Sequence, residues 1–306
     1  MKKIFSILAI ACIAMLFSAC HKDGIFNPKK KIHKIYGSSS YTVDGNTHNF
    51  SKELQEVWTW NKNNTLAKIE TYSGSDIYST ETFSYNNKKQ ILRADGIVPS
   101  DNSTFAIEFK YKNNKLSEAS YYYDNYLTGT YKFTHNKNQI TKIEEYFDMS
   151  KGSGTNHIRA LRFILPDQLY QTIEEQDKKM QTCGSKGYLA TVYEFTWDKD
   201  NIVKMVTTEP EEMGDGEGYS FTTEFQYDNY NNPYNGFWDA EGVEIFGGFC
   251  SSKNNIVKKN IIYKEGDFNE SYTYEYTYID KFPLTASHTR AEANYSYTNT
   301  LEYEYK

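Results

Sequence analysis

VWTWNKNNTLAKI (57–69), EFKYKNNKLSEA (108–119) and EFTWDKDNIVKMV (194–206) are one phrase written three times. Each places two aromatic residues one apart, then a short turn rich in Asn, Asp and Lys. An aliphatic residue then opens a second apolar segment. The aromatic pairs recur as Trp58/Trp60, Phe83/Tyr85, Phe109/Tyr111, Phe133/His135, Phe195/Trp197, Phe225/Tyr227, Tyr276/Tyr278 and Tyr303/Tyr305. Their period is about 25 residues, within the range that marks a repeat architecture. SSKNNIVKK (251–259) reads as a degenerate copy, and an insertion interrupts the series between roughly 148 and 187.

Alternation of aromatic and polar residues is the signature of a strand with one aromatic face. Asn and Asp tolerate the left-handed backbone of tight hairpins, so each unit is predicted to be one antiparallel hairpin. The return strands LAKI, LSEA, ITKI and IVKM carry their apolar residues at n and n+3. A regular strand would put those two on opposite faces. Either the strand is buried on both sides there, or a bulge resets the register.

SYTYEYTYID (271–280), YSYTNTLEYEYK (295–306) and HKIYGSSSYTVDGNTHNF (33–50) also fit strands, the last as a hairpin about Asp44-Gly45. The expectation is about sixteen strands in an all-β, antiparallel meander, curled or barrel-like. Residues 167–181 are read as a helix or an irregular strand. A membrane-spanning barrel is not expected, because TKIEEYF (141–147) and NIVKKNIIY (255–263) put Lys or Glu on both faces. A lipid-facing Lys at mid-bilayer would cost about 2–4 kcal/mol.

The chain starts with Lys2 and Lys3, an apolar run from Ile4 to Phe17, and Ser18-Ala19-Cys20. The run is too short for a bilayer span and fits a secretory signal of the lipoprotein type. This divides the chain into a signal peptide (1–19), a lipid-bearing Cys20 with a polar tether (20–32), and one repeat-built β domain (33–306). The basic residues Lys29, Lys30, Lys31 and Lys34 read as a solvated tether, or as attraction to anionic headgroups. The net charge of −6 argues against nucleic acid as a partner. Cys183 and Cys250 could pair in an oxidising compartment or remain thiols.

The lipobox followed by aromatic hairpins with Asn-rich turns resembles a family of Gram-negative bacterial lipoproteins of unknown function, described as porin-like. The hairpin texture is also similar to the YD repeats of large bacterial shell proteins. These resemblances cover about 33–306. They imply a barrel-like or spiral β-meander, and they carry no catalytic residues over.

No motif for catalysis stands out. The six histidines show no metal-ligand spacing, and there is no nucleophile elbow or phosphate loop. The acidic run EPEEMGDGEG offers Glu209, Glu211, Glu212, Asp215 and Glu217 as oxygen ligands for Ca²⁺, or as a solvated loop. DNYNNPYNGFWDAEG (228–242) holds Tyr230, Tyr234, Phe237 and Trp238, with Asn235 and Asp239 as hydrogen-bonding groups. It reads as a sugar-stacking platform, or as a broken unit whose aromatics cover the core edge. The sequence reading is a lipid-anchored protein of the outer membrane, on its periplasmic or surface face, acting as a non-catalytic binding module for glycan or peptide material, with no cofactor. A scaffolding lipoprotein that docks an envelope protein is the alternative.

Overall fold

The computed structural model describes residues 24–147, 188–210, 219–237, 252–263, 269–292 and 295–306. The first half forms β1 (Ile32–Val43), β2 (Asn46–Trp60), β3 (Leu66–Ser73), β4 (Asp76–Tyr85), β5 (Ile91–Val98), β6 (Ser103–Lys112), β7 (Lys115–Tyr123) and β8 (Tyr126–Asn136). The second forms β9 (Gln139–Phe147), β10 (Tyr188–Asp198), β11 (Asn201–Glu209), β12 (Tyr219–Tyr227), β13 (Ile256–Tyr263), β14 (Asn269–Ile279), β15 (Phe282–Glu292) and β16 (Tyr295–Tyr305). Every strand pairs antiparallel with its sequence neighbours, and β1 closes on β16 with Ile35 opposite Tyr303. The sixteen strands therefore make one closed barrel.

The n, n+3 spacing of the return strands is a bulge. Trp60 pairs with Leu66 while Thr59 pairs with Lys68, so Ala67 is the extra residue. The same slip separates Ser84 from Tyr85, Lys110 from Tyr111, Thr134 from His135, and Thr196 from Trp197. Each bulge lets two residues three apart face inward, so Leu66 and Ile69, Ile91 and Ala94, and Ile140 and Ile143 are all buried.

The repeated aromatic has a second task at this bulge. Tyr85 Oη donates to the Leu66 carbonyl at 2.7 Å, and Tyr111 Oη to that of Ile91 at 2.7 Å. Trp197 Nε1 reaches Ile140 O at 2.7 Å, and Tyr227 Oη reaches Ile202 O at 2.5 Å. Tyr276, Tyr305 and Trp60 bond the carbonyls of Ile256, Pro283 and Ile32 in the same way. These seven aromatic donors latch their strands to the preceding ones, each satisfying a half-buried carbonyl beside a bulge. This explains why Tyr and Trp, which carry donors, recur at positions where Phe would pack equally well.

The tight turns gather at one rim. Positive φ at Asn64, Lys89, Asn113, Asn114, Lys137, Lys199, Asp280 and Lys281 closes these hairpins. The other rim carries the turns at Asp44-Gly45, Gly74 and Asp124-Asn125, and the strand ends that flank 148–187 and 211–218.

The tight-turn rim is plugged from within. Phe26 is 1% exposed and packs on Trp58, Trp60 and Phe237, with ring centroids at 6.1, 5.6 and 4.9 Å. Gly24 O accepts the Ile91 amide at 2.9 Å, and Gly24, at φ +73°, lies so near the Tyr111 ring that no side chain would fit. The expected tether over 20–32 therefore differs from Gly24 onward: the segment enters the barrel. The reason is Phe26, whose burial stabilises by roughly 1.5–3 kcal/mol and outweighs hydration of the lysines that follow it. Lys30 and Lys31 keep their charges at the edge, near Asp280 and the Trp60 ring. Residues 1–23, 148–187, 211–218 and 238–251 include the expected signal, Cys20, the 167–181 helix, Cys183 and Cys250; these lie outside the described residues.

Candidate functional site

Inner and outer faces of the wall differ in chemistry. On the outer face Arg93 pairs with Asp95 and Glu108, Lys110 with Glu118 at 2.6 Å, and Lys142 with Glu144 at 3.0 Å. Lys52 pairs with Glu302, and Lys132 lies over the Tyr146 ring. On the inner face, the half near the tight turns is apolar. Leu66, Ile91, Leu116, Ile140, Ile202 and Ile256 are all buried there, between the repeated aromatics.

Toward the other rim the inner face turns polar. Glu145 on β9 is 8% exposed, yet faces inward opposite Tyr131 and Thr191. Tyr131 Oη donates to Glu145 Oε1 at 2.8 Å, and Tyr193 Oη to Oε2 at 3.4 Å; Thr191 also bonds this carboxylate. Desolvation pushes the Glu145 carboxyl up, against the lowering effect of these hydrogen bonds, and Glu209 adds to the rise. Partial desolvation likewise raises Glu209, although its side chain is exposed at the strand end. The Tyr131 phenol is held well above its usual value by burial and by Glu145. Beside these groups, Thr207 is 3% exposed and its Oγ1 has no hydrogen-bond partner among the described residues. Further round the wall Glu270 accepts from Tyr263 at 3.2 Å and from Tyr272, and Lys259 stands 4.4 Å from the Tyr272 ring centroid. Burial, and then Lys259, lowers the pKa of His288 next to this group.

The loop 228–242 lies elsewhere. Its described residues, 228–237, follow β12 at the tight-turn rim, where Asn231 N donates to Lys281 O and Asn232 N to Lys253 O. Tyr234 and Phe237 pack into the core cluster around Phe26 and Trp58. Tyr230 is 40% exposed and stacks on Tyr278 at 3.9 Å. Asn235 donates its amide to Asn232 O at 3.2 Å. Trp238 and Asp239 lie outside the described residues. Of the described aromatics in the expected platform, Tyr230 alone faces solvent, while Tyr234 and Phe237 help to plug the barrel end. Of the expected Ca²⁺ ligands, Glu209 faces the lumen at the end of β11; Glu211, Glu212, Asp215 and Glu217 lie outside the described residues. No group of three or more His, Cys, Asp or Glu residues is arranged for a metal among the described residues.

Sequence reasoning missed Glu145. Its signal was Glu144-Glu145 inside a strand, read as charge on both faces but not followed to the inner one. Lys258 and Lys259 behave alike, the first pairing in register with Gln226 and Thr273, the second standing over Tyr272.

No family model and no curated protein matches the chain. Among solved structures the chain is similar to a porin-like protein from Bacteroides uniformis, at 11% identity, covering 94% of this chain and 100% of that one, with a TM-score of 0.48. It is also similar to a porin-like protein from Bacteroides vulgatus, at 10% identity, covering 91% of this chain and 99% of that one, with a TM-score of 0.36. The barrel itself rests on the strand pairing of this chain.

Proposed function

We propose that this chain is an exported, lipid-anchored protein of the cell envelope, and that its barrel stands outside the bilayer as a non-catalytic binding module. The lumen is the binding compartment in this reading. The observation that carries it is the inversion of the wall. A bilayer-spanning barrel presents an apolar band about 25 Å tall to lipid. Here the mid-strand outward positions of β5–β9 hold Arg93, Asp95, Glu108, Lys110, Glu118, Lys132 and Glu144. Inward positions hold an apolar floor closed by Phe26 and Phe237, and above it tyrosines with carboxylates. Barrels of sixteen strands are wide enough to leave space that side chains do not fill. Tyr121 and Tyr131, whose rings meet edge to face, offer apolar faces with polar edges, the surface on which sugars stack. Anchoring through Cys20 rests on the sequence pattern at 2–20.

Thermal shift against a panel of oligosaccharides, with and without Ca²⁺, tests the binding reading. A ligand at 100 times its Kd stabilises by about 2.7 kcal/mol. A saturable shift that Tyr131→Ala abolishes and Tyr230→Ala leaves intact places the ligand in the lumen; the opposite pattern returns the site to the 228–242 loop. Incorporation of labelled fatty acid, lost in Cys20→Ala, tests the anchor. Silence across the panel would favour the docking alternative, for which exposed Ile279 and Leu284 line a groove with Tyr36 and Lys52.

A further inference from the structure

The polar stretch of the lumen wall poses an electrostatic problem. Glu145 lies opposite Thr191, and Val192 lies opposite Thr208. One step beyond that pair, Thr191 comes level with Glu209. Glu145, Thr191 and Glu209 therefore form a row across β9, β10 and β11, with the two carboxylate-bearing backbones about 10 Å apart, twice the interstrand spacing. Both carboxylates face the lumen, and no Lys, Arg or His among the described residues forms an ion pair with either. Glu145 is buried while Glu209 is exposed at the end of β11; a desolvated acid without a cation is unfavourable, and the Glu209 charge adds to the rise of the Glu145 pKa.

A second, independent feature points to the same place. Thr207 shares the inner face of β11 with Glu209 and stands opposite Tyr193, whose hydroxyl reaches Glu145. Its Oγ1 is buried and has no partner among the described residues, although a buried hydroxyl left unbonded costs about 1–3 kcal/mol. The row thus offers three acceptors: two carboxylates and one hydroxyl. Tyr131 and Tyr193 already spend their protons on Glu145, and their rings stand beside it.

We propose that this row is a cation site that takes the protonated amine of a small organic ligand, between Glu145 and Glu209 and in contact with Thr207 Oγ1. A primary ammonium has three donors and no acceptor, which matches the three acceptors one for one. The tyrosine rings add cation–π attraction in a partly dry setting. A bare Ca²⁺ fits less well, because it needs six to eight oxygen ligands and this wall supplies fewer. The inference rests on the lumen being a ligand compartment, and it names the chemistry of that ligand.

The test uses the chain from His21 onward and two matched probes, a chitosan tetramer carrying free amines and its fully N-acetylated counterpart. Calorimetry at pH 6 is expected to show the amine probe binding at least 10-fold tighter. Glu145→Gln should weaken the amine probe 10-fold or more and leave the acetylated one within 2-fold. Thr207→Val, which keeps the side-chain shape, should weaken the amine probe several-fold and serves if the Gln variant does not fold. Equal binding of both probes, unchanged by either substitution, overturns the cation site and leaves the lumen reading standing. No binding of either probe, with no shift from any neutral glycan, overturns both. A shift produced by Ca²⁺ alone and lost in Glu145→Gln also overturns the inference, in favour of a metal.

Discussion

Replacing Phe26 by Ala distinguishes a structural plug from a solvated tether. Phe26 is 1% exposed, and its ring contacts Trp58, Trp60 and Phe237 within about 6 Å. Removing a buried Phe ring costs about 3–5 kcal/mol, combining lost transfer energy with the cavity left behind. Net stabilities are about 5–15 kcal/mol, so the variant should fold but be severely weakened. At a urea m-value of about 3 kcal/mol/M, the midpoint should fall by roughly 1–1.7 M. Urea unfolding followed by tryptophan fluorescence is the assay, since Trp58 and Trp60 sit against the lost ring. Phe50→Ala is the control: Phe50 is 56% exposed, and the change should stay within about 0.5 kcal/mol. If Phe26→Ala moves the midpoint no more than Phe50→Ala does, Gly24–Lys31 is not part of the fold and the plug argument fails.

Three other outcomes follow from the same geometry. Tyr111→Phe leaves the Ile91 carbonyl without its latch and should destabilise by about 1–3 kcal/mol in urea unfolding, whereas Tyr126→Phe, at an exposed ring, should be silent. A Cβ at Gly96 would lie 2.0 Å from the Phe105 ring, so Gly96→Ala should lose about 1–3 kcal/mol; adding Phe105→Ala should give less than the sum of the two single losses, and strict additivity would refute the contact. The Glu145 carboxyl is raised above its ordinary 4.5 by burial, so the folded chain holds this proton to higher pH than the unfolded one. Its contribution to stability is full below about 4.5 and is lost as pH rises through the folded value. Glu145→Gln should therefore gain in Tm relative to the parent between pH 4 and pH 7, and a difference constant with pH would sink the assignment.

The hairpin series was legible because its causes are local. Asn, Asp and Lys in the left-handed region make the turns, and period-two aromatics make the strands; neither needs a distant partner. The bulges were half legible. The n, n+3 spacing of Leu66 and Ile69 showed that something resets the register, but pairing of Trp60 with Leu66 and Thr59 with Lys68 was needed to show that it is an extra residue. That slip also hid Glu145. Counting in twos from Ile140 puts Glu144 inside and Glu145 outside; the bulge at Thr141 reverses them, and Glu145 joins Tyr131 and Tyr193 at the lumen.

From its own residues, then, the sequence determined the strand count, the turn chemistry and the aromatic face, all short-range consequences of side-chain shape and backbone preference. Tertiary structure decided what depends on closure. Pairing of β1 with β16 turns one face of the meander into an interior, and so sets which charges meet water and which must find partners. It also drew Phe26, Tyr234 and Phe237 out of segments that read as tether and loop. A short apolar pair in a polar stretch, Ile25-Phe26, has no local reason to be buried. It acquires one when a barrel end, lined with Trp58 and Trp60, must be closed against water.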